Sequence, residues 1–341
     1  MKKICIIGAG HAFSFQYQAL KDLGYEILVC DIDESKLKGY KNTIKDYHDI
    51  PDDYETVLVS TPPKTHHEII KYLKEKKKKV ICEKPLVVNL EELNELENNK
   101  YSFYNILHFA FGDEIEYFKE SIFAKQKPKG IEIRINDPYI ENNRIKDEQI
   151  PLNGSYLDET INPLSALKRI YNKDIIFKDV VKETYEGDKY DYLSSSKFIL
   201  DDIEINALVR WNDTGDRNKY IDLYFNDYTI RLDSINRSVI NLTTNETLFK
   251  TEEDRMYKHY VNAFKDYEKN KDNAKYSIQL NKEILRENLD RCIRIPSTDN
   301  VRSLNLSNCV AIVLYEVLRQ QDYLDLCRCE PFKGEDWLLE D

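Results

Sequence analysis

Apolar residues along this chain follow two different rhythms. Up to about residue 117 they come in short, nearly continuous runs: Ile4-Cys5-Ile6-Ile7, Ile27-Leu28-Val29-Cys30, Val57-Leu58-Val59 and Val80-Ile81. Between the last two lies a stretch, residues 68–76, that reads as a helix. Strands and helices alternating in this way within the first ninety or so residues predict a parallel sheet whose strands are covered on both faces. From about residue 118 the runs give way to strict alternation of apolar and polar positions. It is seen at residues 129–135, 197–200, 203–209 and 220–225, and alternation of period two predicts half-buried antiparallel strands.

The first region carries chemistry at its strand ends. Its opening run stops at Gly8-Ala9-Gly10, a pair of glycines that lets a backbone approach a pyrophosphate at a helix N-terminus. The second run stops at Asp31, about twenty residues on, where a carboxylate can take the two hydroxyls of a ribose. The third leads into Ser60-Thr61-Pro62-Pro63 and His66, and the fourth into Cys82-Glu83-Lys84-Pro85, which sets a lysine at the lip of a nucleotide cleft. The third small residue usual in a glycine turn of this kind is replaced by Phe13. The order of these features points to a dinucleotide site of the Rossmann type, and Asp31 points to NAD rather than NADP, because its charge opposes a 2'-phosphate.

Gly8-x-Gly10, Asp31, Thr61-Pro62-Pro63-x-x-His66 and Cys82-Glu83-Lys84-Pro85-Leu86 resemble the Gfo/Idh/MocA oxidoreductases over about residues 1–288. The resemblance implies an α/β fold in three parts. Residues 1–117 form an N-terminal Rossmann dinucleotide-binding domain. Residues 118–288 form an α+β domain with an open, mostly antiparallel sheet, closed by helices between Arg255 and Leu285, and 289–341 is an appended segment. It further implies NAD as cofactor, held by Gly8, Gly10, His11, Ala12, Phe13, Asp31, Ser60, Thr61, Pro62, His66, Glu83 and Lys84. A homo-oligomer paired through the second sheet is expected on the same ground.

Gly154-Ser155-Tyr156-Leu157-Asp158-Glu159-Thr160-Ile161-Asn162 resembles that family's second catalytic element, an aspartate followed four positions later by a residue on the same helix face. In most members the later residue is histidine. Asn162, within Asp-x-x-Ile-Asn-x-Leu-Ser, resembles the subgroup of aldose 1-dehydrogenases that act on free arabinose or galactose. By that resemblance Asp158 is the base, Lys84 the electrostatic partner, and Asn162 an amide clamp on a ring hydroxyl. Substrate contacts from His108 and Trp211 are implied in the same way. Each residue has a structural alternative: Asp158 as a residue favoured by the helix dipole, Asn162 as a break before Pro163, Lys84 in a structural ion pair, His108 in the core, and Trp211 as an ordinary strand aromatic. Oxidation of a ring hydroxyl on an inositol or nucleotide-linked sugar, and a catalytically silent sugar or nucleotide sensor, remain as alternatives.

Composition narrows the classes. With 341 residues there is material for two substantial cores, and a net charge of −11 argues against a protein that tracks nucleic-acid phosphates. No run approaches the length of a membrane span, and the Met1-Lys2-Lys3 start passes straight into a strand, so a cytoplasmic protein is expected. Seven cysteines at irregular spacing suggest reduced thiols, and Cys327-x-Cys329 is too isolated for a zinc site, so no metal is expected. The basic run Lys74 to Lys79 reads as a solvated helix end.

The final segment reads differently. Cys292-Ile293-Arg294-Ile295-Pro296 and Val301 through Glu316 resemble the C-terminal end of SPOUT-class tRNA 2'-O-methyltransferases. The upstream parts of such an enzyme are missing, and residues 289–341 hold six basic against ten acidic residues. The expectation is a fragment without methyltransferase activity whose helix, Val310 to Leu318, docks on the main body or on another subunit.

Overall fold

The computed structural model describes residues 2–286, 311–314 and 316. The chain divides into two compact units, Met1–Glu287 and Asn288–Asp341. In the second, Ala311–Leu314 and Glu316 are helical. The remainder of the segment resembling a methyltransferase, including its cysteine pair and its docking, lies outside the described residues.

The first unit opens with six strands: β1 (Lys2–Ile7), β2 (Tyr25–Cys30), β3 (Thr43–Ile44), β4 (Thr56–Val59), β5 (Lys79–Glu83) and β6 (Tyr104–Ile106). They form one sheet in the order β3-β2-β1-β4-β5-β6, every neighbouring pair parallel. Helices α1 (Phe13–Asp22), α2 (Glu34–Leu37), α3 (His66–Glu75) and α4 (Leu90–Asn98) lie in the connections. Ile4, Cys5 and Ile6 are wholly buried, because alternate residues of β1 face the two covered sides of the sheet. A buried isoleucine contributes about 1.5–3 kcal/mol over an exposed one, which is why these strands read as continuous apolar runs. Helix α3 starts at His66, two residues earlier than the periodicity predicts, because the turn from Pro63 to Thr65 already sets helical backbone ahead of it.

The sheet order reverses between β1 and β4, and a crevice opens at the carboxyl ends of these strands. Gly8 stands there with φ +98°, and a Cβ on it would lie 2.5 Å from the Ser60 carbonyl oxygen. Only glycine lets the two strand ends approach this closely.

The second sheet is built from β7 (Gly130–Asp137), β10 (Ile175–Glu183), β11 (Leu193–Leu200), β12 (Ile203–Trp211), β13 (Asn218–Tyr224), β14 (Thr229–Asp233), β15 (Ser238–Asn241) and β16 (Glu246–Lys250). A small hairpin, β8 (Ile140–Glu141) and β9 (Arg144–Ile145), stands beside it. The order is β10-β11-β12-β7-β13-β14-β15-β16, and every neighbouring pair is antiparallel except β12 with β7. One face carries Ile131, Ile133 and Ile135 into a core shared with Leu164 and Leu167 of α7 (Ile161–Tyr171). Helices α5 (Asp113–Glu120) and α6 (Ser155–Glu159) complete that side.

The last two helices of the unit, α8 (Arg255–Asn270) and α9 (Ala274–Leu285), return to the first sheet. Helix α8 packs on α1 and α9 on α4. Asn281 Oδ1 accepts the Leu86 N–H at 3.2 Å, and the Asn273 side chain pairs with both backbone groups of Asn105.

Candidate active site

The glycine turn leaves room for a bound group. Helix α1 begins without a side-chain cap, so only its own backbone serves the first turn, where Phe13 N–H reaches Gly10 O. A Cβ on Gly10 would meet no protein atom within 4 Å, so packing of the chain does not demand glycine there, and the helix end faces open space that could admit an anion. His11 is exposed and Ala12 half-buried beside this space. The Phe13 side chain does not share it: the ring is buried edge-on to Tyr40 and beside Tyr17, so only its backbone faces the turn. The aromatic group fills the place where a smaller residue would let the helix move closer to the strand.

Asp31 caps the same turn from β2. One carboxylate oxygen accepts the Ala9 N–H at 2.8 Å and the other the Asp33 N–H at 2.9 Å. The acid therefore ties the glycine turn to the strand end while retaining lone pairs for ribose hydroxyls. Ser60 and Thr61 line the opposite lip, with Pro62 exposed beside them.

Two residues expected at the cofactor are buried braces. His66 is wholly buried, its Nδ1 3.0 Å from Pro85 O and its Nε2 2.8 Å from Thr61 O. Burial lowers its pKa, so the neutral ring donates to one of these carbonyls and pins the Thr-Pro-Pro turn against the Lys84-Pro85 corner. The Glu83 carboxylate takes Gln16 Nε2 at 2.6 Å and the Lys84 N–H at 3.2 Å, and burial raises its pKa. Its side chain thus locks β5 to α1.

Lys84 and Asp158, 74 positions apart in sequence, meet at the end of β5. The lysine Nζ donates to Asp158 Oδ1 at 2.6 Å and to the Asp158 carbonyl at 2.8 Å, with both residues largely buried. Burial alone would lower the lysine pKa, but the Asp158 and Glu159 carboxylates outweigh it and the net shift is upward. Burial raises Asp158 above the ordinary carboxylate range despite the lysine beside it. A carboxylate with raised proton affinity against a fixed ammonium is suited to receive a proton.

A second buried charge cluster adjoins this pair and was not foreseen from sequence. Lys219 of β13 reaches Glu159 at 2.8 Å and Asp137, the last residue of β7, at 2.7 Å, and Arg217 lies 3.2 Å from Asp137. Burial pushes Asp137 up to about 6, whereas Lys219 and Lys84 hold Glu159 well below its usual range against the effect of burial. Glu159 also accepts Asn162 Nδ2 at 2.9 Å, and Asn162 Oδ1 is buried without a partner. Strand parity carried the missing signal: Lys219 shares a face with Ile221 and Leu223, and Asp137 with Ile131, Ile133 and Ile135, so both charges point into the core.

His108 follows β6, buried and stacked on Tyr260 at 5.3 Å, with its Nδ1 3.5 Å from Nδ1 of His259 on α8. Burial holds both rings neutral, His259 down to about 3. Lys84 and Glu159 both act on His108 electrostatically, which places it near the lysine pair. Trp211 corrects the expectation of a sugar-stacking ring. It is wholly buried, edge-on to Tyr139 at 5.5 Å in a cluster with Ile140 and Ile145, and no face is free. Its parity with Ile205 and Val209 on β12 already pointed inward. Among the described residues no group of three or more His, Cys, Asp or Glu could hold a metal ion, and no helix is long and apolar enough to cross a membrane.

A six-stranded parallel sheet with a glycine turn at its switch point, facing a lysine at the next strand end, defines a dinucleotide-binding protein of the Rossmann class. Residues 2–101 match the family GFO_IDH_MocA, described as an oxidoreductase family with an NAD-binding Rossmann fold. Myo-inositol 2-dehydrogenase of Thermotoga maritima is 26% identical over 196 residues, which are 52% of this chain and 58% of that protein. Among solved structures, D-galactose-1-dehydrogenase from Rhizobium etli superposes with TM-score 0.69 at 17% identity, covering 85% of this chain and 94% of that one. Myo-inositol 2-dehydrogenase from Lactobacillus plantarum gives 0.67 at 14%, covering 84% and 96%. These likenesses show the two-domain fold. A separate match joins 47 residues, 14% of this chain, to 29% of a putative tRNA (cytidine(34)-2'-O)-methyltransferase of Bacillus subtilis at 60% identity. The chain thus spans less than a third of that curated methyltransferase and just over half of the inositol dehydrogenase.

Proposed function

We propose that this chain is an NAD-dependent dehydrogenase that removes a hydride from a hydroxyl-bearing carbon of a sugar, with C1 of a free aldose as the reacting carbon and a lactone as the product. The observation that carries the reading is the Lys84–Asp158 pair, held at 2.6 Å at the end of a strand that borders the nucleotide crevice. NAD would rest on the glycine turn and Asp31 and supply the hydride acceptor. The protein's part is to manage the hydroxyl proton. Lys84 donates a hydrogen bond to the reacting oxygen and stabilises its developing charge, and Asp158 receives the proton that leaves.

Two features favour an uncharged polyhydroxylated substrate. Both buried lysines of the cluster are already neutralised, Lys84 by Asp158 and Lys219 by Asp137 and Glu159, so neither is left to hold a carboxylate or phosphate. Asn162 stands four residues beyond Asp158 with a free buried acceptor, as a clamp on a ring hydroxyl requires. The spacing and the fold shared with a galactose dehydrogenase favour C1 chemistry; the inositol dehydrogenase relative makes a ring hydroxyl the second reading.

The test is NADH formation with purified full-length protein against free aldoses, inositols and nucleotide sugars, with NAD and NADP in parallel. Turnover of D-galactose or L-arabinose with NAD supports C1 oxidation, and turnover of inositols alone selects the second reading. NAD binding without turnover of any of them overturns the dehydrogenase assignment in favour of a sensor.

A further inference from the structure

An asparagine amide can offer a ligand either an acceptor or a donor, and rotation about its last side-chain bond exchanges the two. In this protein the choice is made by a neighbour. Glu159 lies 2.9 Å from the Asn162 amide, and an ionised carboxylate can only accept, so it fixes Nδ2 on its own side. Lys219, at 2.8 Å from the other Glu159 oxygen, keeps that carboxylate ionised and is itself anchored to Asp137 at 2.7 Å. Each of Asp137, Glu159 and Asn162 is at most 3% exposed, and Lys219 7%. The opposite atom, Asn162 Oδ1, is left buried with no partner. A buried acceptor without a donor costs about 1–3 kcal/mol unless an ordered water, an ion or a ligand serves it.

We infer that Glu159 and Lys219 are positioning residues that lock the Asn162 amide with its carbonyl oxygen toward the substrate, so that the site accepts a hydroxyl donating a hydrogen bond at that point. The inference rests on the dehydrogenase reading above. A buried ion triad is a poor way to gain stability, because apolar side chains of the same volume usually serve as well. Its value here is directional. It joins α6 to strands β7 and β13 and gives a rotatable amide one fixed sense. Selectivity follows, since a sugar lacking the donor hydroxyl leaves Oδ1 buried and unserved.

The test has two arms. The first is steady-state kinetics with D-galactose and NAD for wild type, Glu159→Gln, Asn162→Ala and the double variant. The amide introduced by Glu159→Gln can donate to Asn162 Oδ1, which permits the asparagine to rotate. The expected result is a KM for galactose raised about tenfold in Glu159→Gln, with the KM for NAD within about threefold, and no further loss in galactose KM when the change is made in the Asn162→Ala background. Additive losses overturn the proposal.

The second arm needs no turnover and stands even if no sugar is a substrate. In protein with its asparagine amides labelled with 15N, the Asn162 side-chain signals, assigned by their loss in Asn162→Asp, are expected to exchange slowly with solvent in wild type and in Lys219→Arg. They should exchange at least about tenfold faster in Glu159→Gln and Lys219→Met. Equal exchange in all four refutes the lock, and using both positions keeps the result readable if one variant fails to fold.

Discussion

The nucleotide half and the polar half of this site are built by opposite means. At the glycine turn the work is done by backbone: two glycines, an uncapped helix end, and one acid that spends its oxygens on N–H groups. Across the crevice the work is done by side chains drawn from β5, α6, α7, β7 and β13, nearly all buried and charged. A backbone site tolerates little local change but is specified by a few adjacent positions. A side-chain site is specified by residues far apart in sequence, each of whose charges must be compensated by the others.

The comparison predicts separable failures. Lys84→Ala or Asp158→Ala should reduce turnover by about a hundredfold or more while leaving NAD affinity, read by fluorescence titration, within about threefold. Loss of NAD binding in these variants would break the division between the halves.

Stability should divide in the same way as a function of pH. Burial pushes Glu114, on α5, up to about 7 from its ordinary value near 4.5, against the nearby Arg255 and the Ser234 hydroxyl. A raised folded-state value means that the folded protein holds this proton more tightly than the unfolded chain. Its contribution is complete below about pH 4.5 and is lost as the pH rises through about 7. Chemical denaturation between about pH 5 and 7.5 should therefore show wild type losing up to about 3 kcal/mol relative to Glu114→Gln. Parallel curves would remove Glu114 from the account.

A smaller effect sharpens the nucleotide half. Asp31→Ser should narrow the preference for NAD over NADP by about tenfold in kcat/KM, with kcat for NAD changed much less. The smallest effect is a control on the opposite wall. Trp211→Phe, in a closed cluster, should shift stability by about 1 kcal/mol and the KM for any sugar by less than about twofold. A large rise in KM there would restore the stacking role that burial excludes.

What was legible in the sequence divides along the same line. Gly8, Gly10, Asp31 and Lys84 sit at the ends of apolar runs, and a strand end is a local property that can be read from a few residues. Asp158 and Asn162 came by resemblance, and the structure brings Asp158 to Lys84 across the unit. The Glu159–Lys219–Asp137 triad and His259 were missed because their partners meet only through the register of β7 with β13 and the return of α8. Even so, the parity of Lys219 with Ile221 marked it as a charge facing inward. His66 and Glu83, expected at the cofactor, brace the corner through protein hydrogen bonds, since sequence position does not say whether a polar group faces a ligand or a carbonyl behind it.

The asparagines of α9 and of the turn before it have a consequence for the order in which this molecule can be made. The backbone just beyond Lys84 is held by Asn281, and the strand beside it by Asn273. During synthesis the parallel sheet emerges from the ribosome well ahead of these partners, which lie 195 and 168 residues beyond the groups they hold. Until they arrive, the Leu86 and Asn105 amides have no protein partner of this kind, and the corner that presents Lys84 is incomplete. Nascent chains stalled before residue 273 should therefore be open to proteases at Lys84, and the crevice should acquire its final form only when the last helix of the unit closes on it.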